Sequence, residues 1–458
     1  MRAGVAAALR LTEGVALPDA LDTGDPAAWL ELDEGVGAVG WSGTSAARRQ
    51  SSADERAVLT ALAAGDPLSD ARLAVALCHR DGRVRHRALG RVAGRPALLP
   101  LVVVRCTDWA EPVRARARDR LAEALDSVTA APLAPLIRRL GDRHRGDFAM
   151  DLLGDVLRRA PRDHLAPLLA SGDRAVRRFA YGLAVEEGFL SPAELARAAA
   201  RDDDAVVRTL CADAALTVVT HDTAAQVLDA LLGARSTRAR SAGVTALRRL
   251  DRPDRAVDFF ADRSALVRAC ARYVLRQHGT DPLSWYRARC AEAADPVLPP
   301  GAAIGLAECG TRADAALLWP LLDHPAPGVR ARAVAGLRTL DVTDVRRMWR
   351  MLDDPAPGVV REATLALLPS AAGLPERELV RRLDPALPRW VRVSAWRLLN
   401  AHGEVVRLRA AVALLDGPDE RLRTRAAAVV RRALRCGAGS RSEPEAARLL
   451  ARGRALLG

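Results

Sequence analysis

Residues that could do chemistry are scattered through this sequence and do not form a recognisable catalytic set. Residues 35–40 read G-x-G-x-x-G, the pattern of a dinucleotide-binding turn. That turn needs a preceding strand and a helix that opens at the glycines. Residues 41–44 (WSGT) do not predict such a helix, and no second strand is evident. We therefore interpret the pattern as a chance match.

Potential metal ligands and carboxylates lead to the same conclusion. The eight histidines lie at no spacing typical of zinc ligands, and the seven cysteines include no C-x-x-C pair, so we interpret the cysteines as buried thiols of a reducing cytoplasm. The run Asp202-Asp203-Asp204 lies in a predicted turn between helices, where Asp caps a helix N-terminus. We expect no catalytic residue, no cofactor and no metal.

Arginine supplies all of the positive charge. The chain has 69 Lys+Arg, and none of them is lysine, which excludes a Schiff-base lysine, a phosphate-loop lysine and a lysine general base. The net charge of +13 permits an anionic partner. Most charges alternate in sign along the predicted helices, however, and this alternation is typical of solvated helix faces.

Arginine and tryptophan occur together in a few segments, a combination suited to nucleic acid. Trp396 falls at a predicted core position, so we do not count it as a contact. The candidate contacts for an anionic partner are Arg116, Arg120, Arg350, Arg389, Trp390 and Arg397.

Length and composition indicate which elements carry these side chains. At 458 residues the chain is too long for one ordinary core, so it forms several domains or a repeat array. Ala, Leu and Val dominate and aromatic residues make up 3%, which favours helix-on-helix packing and argues against a large sheet.

An internal repeat is the strongest signal in the sequence. An aliphatic residue followed by Arg recurs, with a small residue four positions after the aliphatic, as in Val329-Arg330 and Ala333. The last four copies are 31 residues apart, and weaker copies lack the aliphatic or the Arg. The anchors are residues 84, 113, 144, 176, 207, 239, 267, 298, 329, 360, 391 and 422.

Each anchor opens a predicted helix, and a partner helix precedes it. Apolar residues at positions 0, 4, 5 and 8, such as Val329, Ala333, Val334 and Leu337, form a stripe at helical spacing. Upstream lies a second apolar run, and a turn rich in Asp, Pro and Gly separates the two. The unit is therefore a pair of helices.

This unit resembles the HEAT repeat, and its shortness is most similar to the bilin-lyase-like HEAT subclass. The resemblance implies a hydrogen-bonded ladder of turn Asp and helix-opening Arg that runs from repeat to repeat. A guanidinium that is partly desolvated between stacked layers needs a carboxylate, which it can bind through two bonds. The residues in the ladder places are Asp323 and Arg330, Asp354 and Arg361, Asp384 and Arg392, and Asp416 and Arg423. The units at 144, 239 and 298 depart from the pattern.

We accordingly predict an all-α protein, a right-handed α–α superhelix of about twelve 31-residue HEAT-type repeats. Residues 1–65 are predicted to be an irregular N-terminal cap with a degenerate repeat helix at 53–65, and residues 15–52 do not repeat. Residues 66–440 form the repeat solenoid, and residues 441–458 form a C-terminal capping helix.

The predicted function is binding rather than catalysis. We expect a cytoplasmic, non-membrane scaffold that binds a partner protein along the concave face of the solenoid. The alternative is a nucleic-acid-binding or repair protein, similar to the HEAT-like alkylpurine DNA glycosylases, although no residue matches their catalytic motif. A third idea, a lyase-like chaperone for a bound chromophore or small molecule, rests on fold analogy alone.

Overall fold

The computed structural model describes residues 2–42, 56–436 and 444–457. Within these ranges all regular secondary structure is helical and no strand is found, so the predicted all-α class is confirmed. None of the helices in these ranges combines the length and the hydropathy needed to cross a bilayer.

The chain forms two compact units, Met1–Ala234 and Arg235–Gly458, and the division falls inside the region predicted as one solenoid. The predicted division at 65 and 440 stays a prediction. The helices of the first unit are α1 (Arg2–Thr12), α2 (Leu17–Ala20), α3 (Pro26–Ser42), α4 (56–64), α5 (Asp70–Leu77), α6 (Gly82–Leu89), α7 (Leu99–Arg105), α8 (Glu111–Ala124), α9 (Ala130–Gly141), α10 (Asp147–Arg159), α11 (Ala166–Leu169), α12 (Arg174–Glu186), α13 (Pro192–Arg201), α14 (Ala205–Thr217) and α15 (His221–Leu232).

The second unit continues the same alternation of helices. Short 3-10 segments, such as Pro253–Phe259 and Met351–Asp353, complete or replace some of the first helices of the pairs. Its helices are α16 (Thr237–Arg249), α17 (Ala265–Gln277), α18 (Pro282–Ala291), α19 (Pro300–Cys309), α20 (Ala315–Leu318), α21 (Pro327–Thr339), α22 (Val345–Arg350), α23 (Pro357–Leu367), α24 (Glu376–Arg381), α25 (Arg389–His402), α26 (Glu404–Leu415), α27 (Glu420–Cys436) and α28 (Pro444–Leu457).

Consecutive helix pairs stack within each unit. In the second unit α19 packs on α21, α21 on α23 and α23 on α25, while α22 and α24 pack against the helices that follow them. The predicted stripe of α21, from Val329 to Leu337, is fully buried between its neighbours. Since a single pair cannot bury its apolar faces alone, stacking on the next pair is what stabilises it.

Local turn chemistry sets the start of the second helices. The carboxylate of Asp204 accepts hydrogen bonds from the amides of Val206 and Val207, which confirms that this Asp caps α14. In α21 and α23 a proline occupies the first helical position, where its missing N–H costs nothing.

The N-terminal segment differs from the predicted irregular cap, because α3 is a helix of 17 residues that packs along α1. Residues 35–40 lie inside α3, so they form no phosphate-binding turn. A Cβ on Gly35 would lie 2.3 Å from the carbonyl carbon of Gly4. Gly35 therefore permits the close approach of α1 and α3. Residues 43–55 lie outside the described residues; residues 56–64 form α4, and the degenerate repeat at 53–65 stays a prediction.

Candidate functional site

The arginine that opens many of the second helices has a first role within its own turn. In α21, Nη1 of Arg330 donates to the carbonyl oxygens of His324 at 2.8 Å and Pro325 at 2.9 Å. These carbonyls end the first helix of the pair and would otherwise lack a partner. Further arginines that donate to the carbonyl six residues earlier include Arg85, Arg114, Arg177, Arg208, Arg268 and Arg423.

The second role of these arginines joins neighbouring repeats. Nε and Nη2 of Arg330 donate to the two carboxylate oxygens of Asp354 in the following turn, at 2.7 and 2.9 Å. Burial would raise the pKa of Asp354, but the hydrogen bonds from Arg330 and from the Ala356 amide outweigh it and lower the pKa. The same bridge to the following turn joins Arg85 to Asp108, Arg177 to Asp202 and Arg240 to Asp262.

In the unit at 298, where the sequence pattern departs from the repeat, a glutamate of the second helix takes the place of the turn aspartate as the partner of the arginine. Arg268, which is 2% exposed, bonds through Nε and Nη2 to Glu308 on α19. Nη1 of Arg272 donates to the same carboxylate at 2.8 Å, and the hydroxyl of Tyr286 donates to the Phe260 carbonyl at 2.7 Å. One Glu thus satisfies two buried arginines at the unit where the regular bridge is missing.

The ladder residues expected from the sequence are only partly brought together. Arg330 bonds to Asp354, which belongs to the turn of the following repeat. The nearest carboxylate recorded for Arg392 is Asp419, at 3.4 Å, and Arg423 donates to the Gly417 carbonyl. The remaining four predicted residues form no ladder bond. Arg361 pairs with Glu362, and Asp384 accepts a hydrogen bond from the Ala386 amide. The Asp416 carboxylate lies 3.9 Å from the Arg452 guanidinium, and Asp323 is exposed in its turn.

The position of Arg361 corrects the predicted register. Helices α21 and α23 both open with Pro-Gly-Val, at residues 327 and 357, so Val360 stands where Arg330 stands one repeat earlier. Val360 is 1% exposed, whereas the Arg361 side chain is 65% exposed. The spacing of 31 residues places this anchor one residue too late, and this repeat has no ladder arginine.

The next turn is longer than its predecessors. Residues 324–327 read His-Pro-Ala-Pro and residues 354–357 read Asp-Pro-Ala-Pro, whereas residues 384–388 read Asp-Pro-Ala-Leu-Pro. Leu387 is the extra residue, and it is 37% exposed. Asp384 is also exposed, in contrast to Asp354, because Val360 offers it no guanidinium. The missing arginine and the longer turn occur together.

A groove of about 390 Å³ lies between the turn at residues 354–357 and the turn at residues 384–388 in the second unit. Trp390, at 40% exposure, and Leu387 contribute to its apolar wall, together with Pro388, Pro355 and the buried Leu352. No described residue accepts a hydrogen bond from the Trp390 indole N–H. In a regular repeat an arginine such as Arg330 joins two consecutive turns, and here Val360, which stands at the arginine position, is buried and does not line the groove.

Charged side chains border the groove in matched pairs. Nη1 of Arg381 donates to Glu378 at 2.6 Å. Arg382 bonds to both carboxylate oxygens of Asp353, at 2.6 and 3.0 Å. The Arg382 guanidinium also lies 5.3 Å from the centre of the Trp349 ring, a cation–π contact. The border is therefore polar and electrically balanced.

The candidate contacts for an anionic partner do not form one cluster. Arg116 contacts the ring of His86, and Arg120 pairs with Glu123, in the first unit. In the second unit Arg389 lies 3.5 Å from Asp419, and Trp390 lines the groove. Arg350 on α22 and Arg397 on α25 are exposed. Trp396 is buried, as its core position predicts.

The thiols fit the predicted buried class only in part. Cys78, Cys106, Cys211 and Cys290 are buried and unpaired, whereas Cys270 and Cys309 are half-buried. Burial raises the pKa of Cys106, Cys211 and Cys290 to about 12, so these thiols carry almost no thiolate near neutral pH. Within the described ranges, no group of His, Cys, Asp and Glu side chains has the geometry of a metal site.

The groove was not predicted from the sequence, although a signal for it is present. Aligning the second helices on their Pro-Gly-Val openings would have shown Val360 in the arginine position. Aligning the turns would have shown Leu387 as an insertion. Only Trp390 was singled out, and for a different partner.

Comparison with known proteins gives distant structural similarity alone. No protein-family model matches the chain, and no curated protein sequence matches it. A structure of Kap95p binding RanGDP is 13% identical with a TM-score of 0.39, over 100% of this chain and 66% of that one. Importin beta is 13% identical with a TM-score of 0.31, over 98% and 62% of the two chains. UNC-45 from Drosophila melanogaster is 11% identical with a TM-score of 0.24, over 94% and 74%.

This chain therefore spans less than two thirds of the length of Kap95p and of importin beta in these comparisons. TM-scores of this size carry no argument about function. The helical repeat architecture rests instead on the stacked helix pairs and on the arginine bridges between them.

Proposed function

We propose that this protein is a non-catalytic scaffold of the HEAT type, and that it binds a partner protein through the groove at Trp390. An extended segment of the partner would place a large apolar side chain between Trp390 and Leu387. The observation that carries this proposal is the groove itself, which lies between two neighbouring turns and has Trp390, Leu387 and Pro388 in its apolar wall. The short bilin-lyase-like subclass and the concave face as binding surface remain predictions.

The composition of the groove favours a protein partner. Interfaces between proteins combine an apolar centre with a polar rim, and Trp and Arg supply a large share of their binding energy. Here the centre is Trp390, Leu387 and Pro388, and the rim is formed by the Arg381–Glu378 and Arg382–Asp353 ion pairs. Because the rim charges are already paired, the apolar centre would supply most of the affinity.

The carboxylates around the groove are poorly suited to catalysis. Asp354 is bonded to Arg330, Asp353 to Arg382 and Glu378 to Arg381. A general base needs a free lone pair aimed at a substrate and a pKa near the working pH. The pKa of Asp354 is lowered instead, because its hydrogen bonds outweigh burial. These contacts support binding over catalysis.

The proposal can be tested by peptide selection. A random 16-residue peptide library displayed on phage is selected on the full-length chain, and enriched peptides are measured by fluorescence anisotropy. We expect the peptides to share one large apolar residue. We also expect Trp390→Ala to weaken binding at least ten-fold, since truncating a central Trp costs on the order of 2 kcal/mol.

The matched control is Trp109→Ala, which removes another exposed tryptophan from a turn between helices. Binding should be unchanged in this variant. Raising the salt from 50 to 200 mM should alter the affinity less than three-fold, since the rim charges are paired within the chain. Equal losses in the two Trp variants, or a steep salt dependence, would reject the groove as the binding site.

A further inference from the structure

Helix α27 carries an unusual row of arginines. Arg421, Arg425, Arg432 and Arg435 are all exposed, and the exposed Ala428 lies between them. At 100° per residue these positions fall within an arc of about 80° on one side of the helix. The opposite side, with Leu422, Ala426 and Val430, is buried. The arginine row therefore faces away from the packed side of its unit.

Among the residues that the structure describes, no carboxylate is paired with this row. After Glu420 the helix contains no carboxylate, and no described residue forms an ion pair with any of the four arginines. Arg409 in the preceding helix α26, by contrast, bonds to Glu376 and Glu445. The row thus differs from the ladder and from the paired border of the groove.

We propose that this arginine row, residues 421, 425, 432 and 435, binds the phosphate backbone of duplex nucleic acid without regard to base sequence. From the first to the last arginine the row extends ~21 Å along the helix axis. Over this length a duplex strand presents several phosphates, and each guanidinium can bind a phosphate through two hydrogen bonds.

Two features favour duplex nucleic acid over other polyanions. A protein interface needs an apolar centre, and the exposed row offers only the methyl group of Ala428. Proteins that bind single strands stack the bases on aromatic side chains, and α27 contains none. Contacts made by arginine alone suit the backbone of a duplex, whose spacing does not depend on sequence.

The test uses the full-length chain and a fluorescein-labelled 20-base-pair duplex, with binding followed by anisotropy at several salt concentrations. The variant R421Q/R425Q/R432Q/R435Q should bind at least ten-fold more weakly at 50 mM salt. The slope of log K against log[salt] should become shallower by about 3–4, since roughly 0.9 counterion is released per phosphate contacted. Far-UV circular dichroism would show whether the helical content of the variant is retained.

The matched control is R72Q/R80Q/R83Q/R87Q, which removes four exposed arginines from the first unit and lowers the net charge of +13 equally. It should bind duplex within about two-fold of the wild type. Equal loss in both variants would show that net charge alone is responsible and would overturn the proposal. Binding of poly-L-glutamate or of a single strand as tight as that of the duplex would do so as well.

Discussion

The guanidinium of Arg330 binds both carboxylate oxygens of Asp354, and one repeat later Val360 stands at the position equivalent to Arg330. The first contact joins two turns through charge-assisted hydrogen bonds. At Val360 no guanidinium is available for the following Asp384, which is exposed, and the groove at Trp390 lies beside that turn. Equivalent positions of two neighbouring repeats therefore carry a bridging arginine in one case and a buried valine in the other.

The bridge between Arg330 and Asp354 predicts that Arg330 contributes far more to the free energy of unfolding than Arg361 does. Arg330→Met should lower the free energy of unfolding by about 3 kcal/mol, because it leaves the buried Asp354 without a cation. Arg361→Met should change it by less than about 0.5 kcal/mol, since that side chain is exposed. Urea unfolding followed by circular dichroism at pH 7 measures both values. Similar values for the two variants would contradict the corrected register.

The gap in the ladder can be filled by design. In Val360→Arg the new guanidinium should reach Asp384, fill the groove and reduce peptide binding at least ten-fold. In this background Asp384→Asn should be destabilising by about 1 kcal/mol or more, whereas in the wild type the exposed Asp384 should tolerate the change. Val360→Leu is the control that keeps the site apolar and should retain peptide binding. Independent effects of the two substitutions in the double-mutant cycle would refute the bridge.

The acid response of the ladder follows from the lowered pKa of its carboxylates. Burial alone would raise the pKa of Asp262 and Asp354, but their arginine partners lower it. A carboxylate with a lowered folded-state pKa stabilises the protein above its unfolded pKa of about 4, and this stability is lost as the pH falls further. We expect the free energy of unfolding to decline below about pH 5.

The variant Arg330→Met provides the comparison for this acid response. In the variant Asp354 is buried without a cation, so protonation of its carboxylate removes an unpaired buried charge. The difference in unfolding free energy between the wild type and the variant should therefore shrink between pH 6 and pH 3. A difference that stays constant over this range in urea titrations would show that the Asp354 carboxylate does not account for the effect.

The buried thiols should resist alkylation in the folded protein. Burial raises the pKa of Cys106, Cys211 and Cys290 to about 12, so at pH 8 the thiolate fraction is on the order of 10⁻⁴. Iodoacetamide at pH 8 should leave these three unmodified for hours and modify all of them in 8 M urea. Peptide mass spectrometry identifies the labelled positions. Rapid modification of Cys211 in the native protein would count against its burial.

The sequence by itself determined the helical class, the pairing of helices and the composition of the turns, because these depend on short-range properties. Apolar spacing such as that from Val329 to Leu337 specifies a buried helix face, and Asp and Pro specify where helices begin. These signals involve residues a few positions apart, so they can be read without knowing what the helix packs against.

Only the tertiary structure decided which side chains meet. Arg330 bonds to a carboxylate 24 residues away and Arg268 to one 40 residues away, and neither choice follows from the period. The missing bridge depends on a register shift of one residue at Val360, and the wall of the groove includes the inserted Leu387; a regular spacing of 31 conceals both. Contacts between repeats depend on how each helix pair is seated on the next, and that seating is set by packing over the whole stacked face.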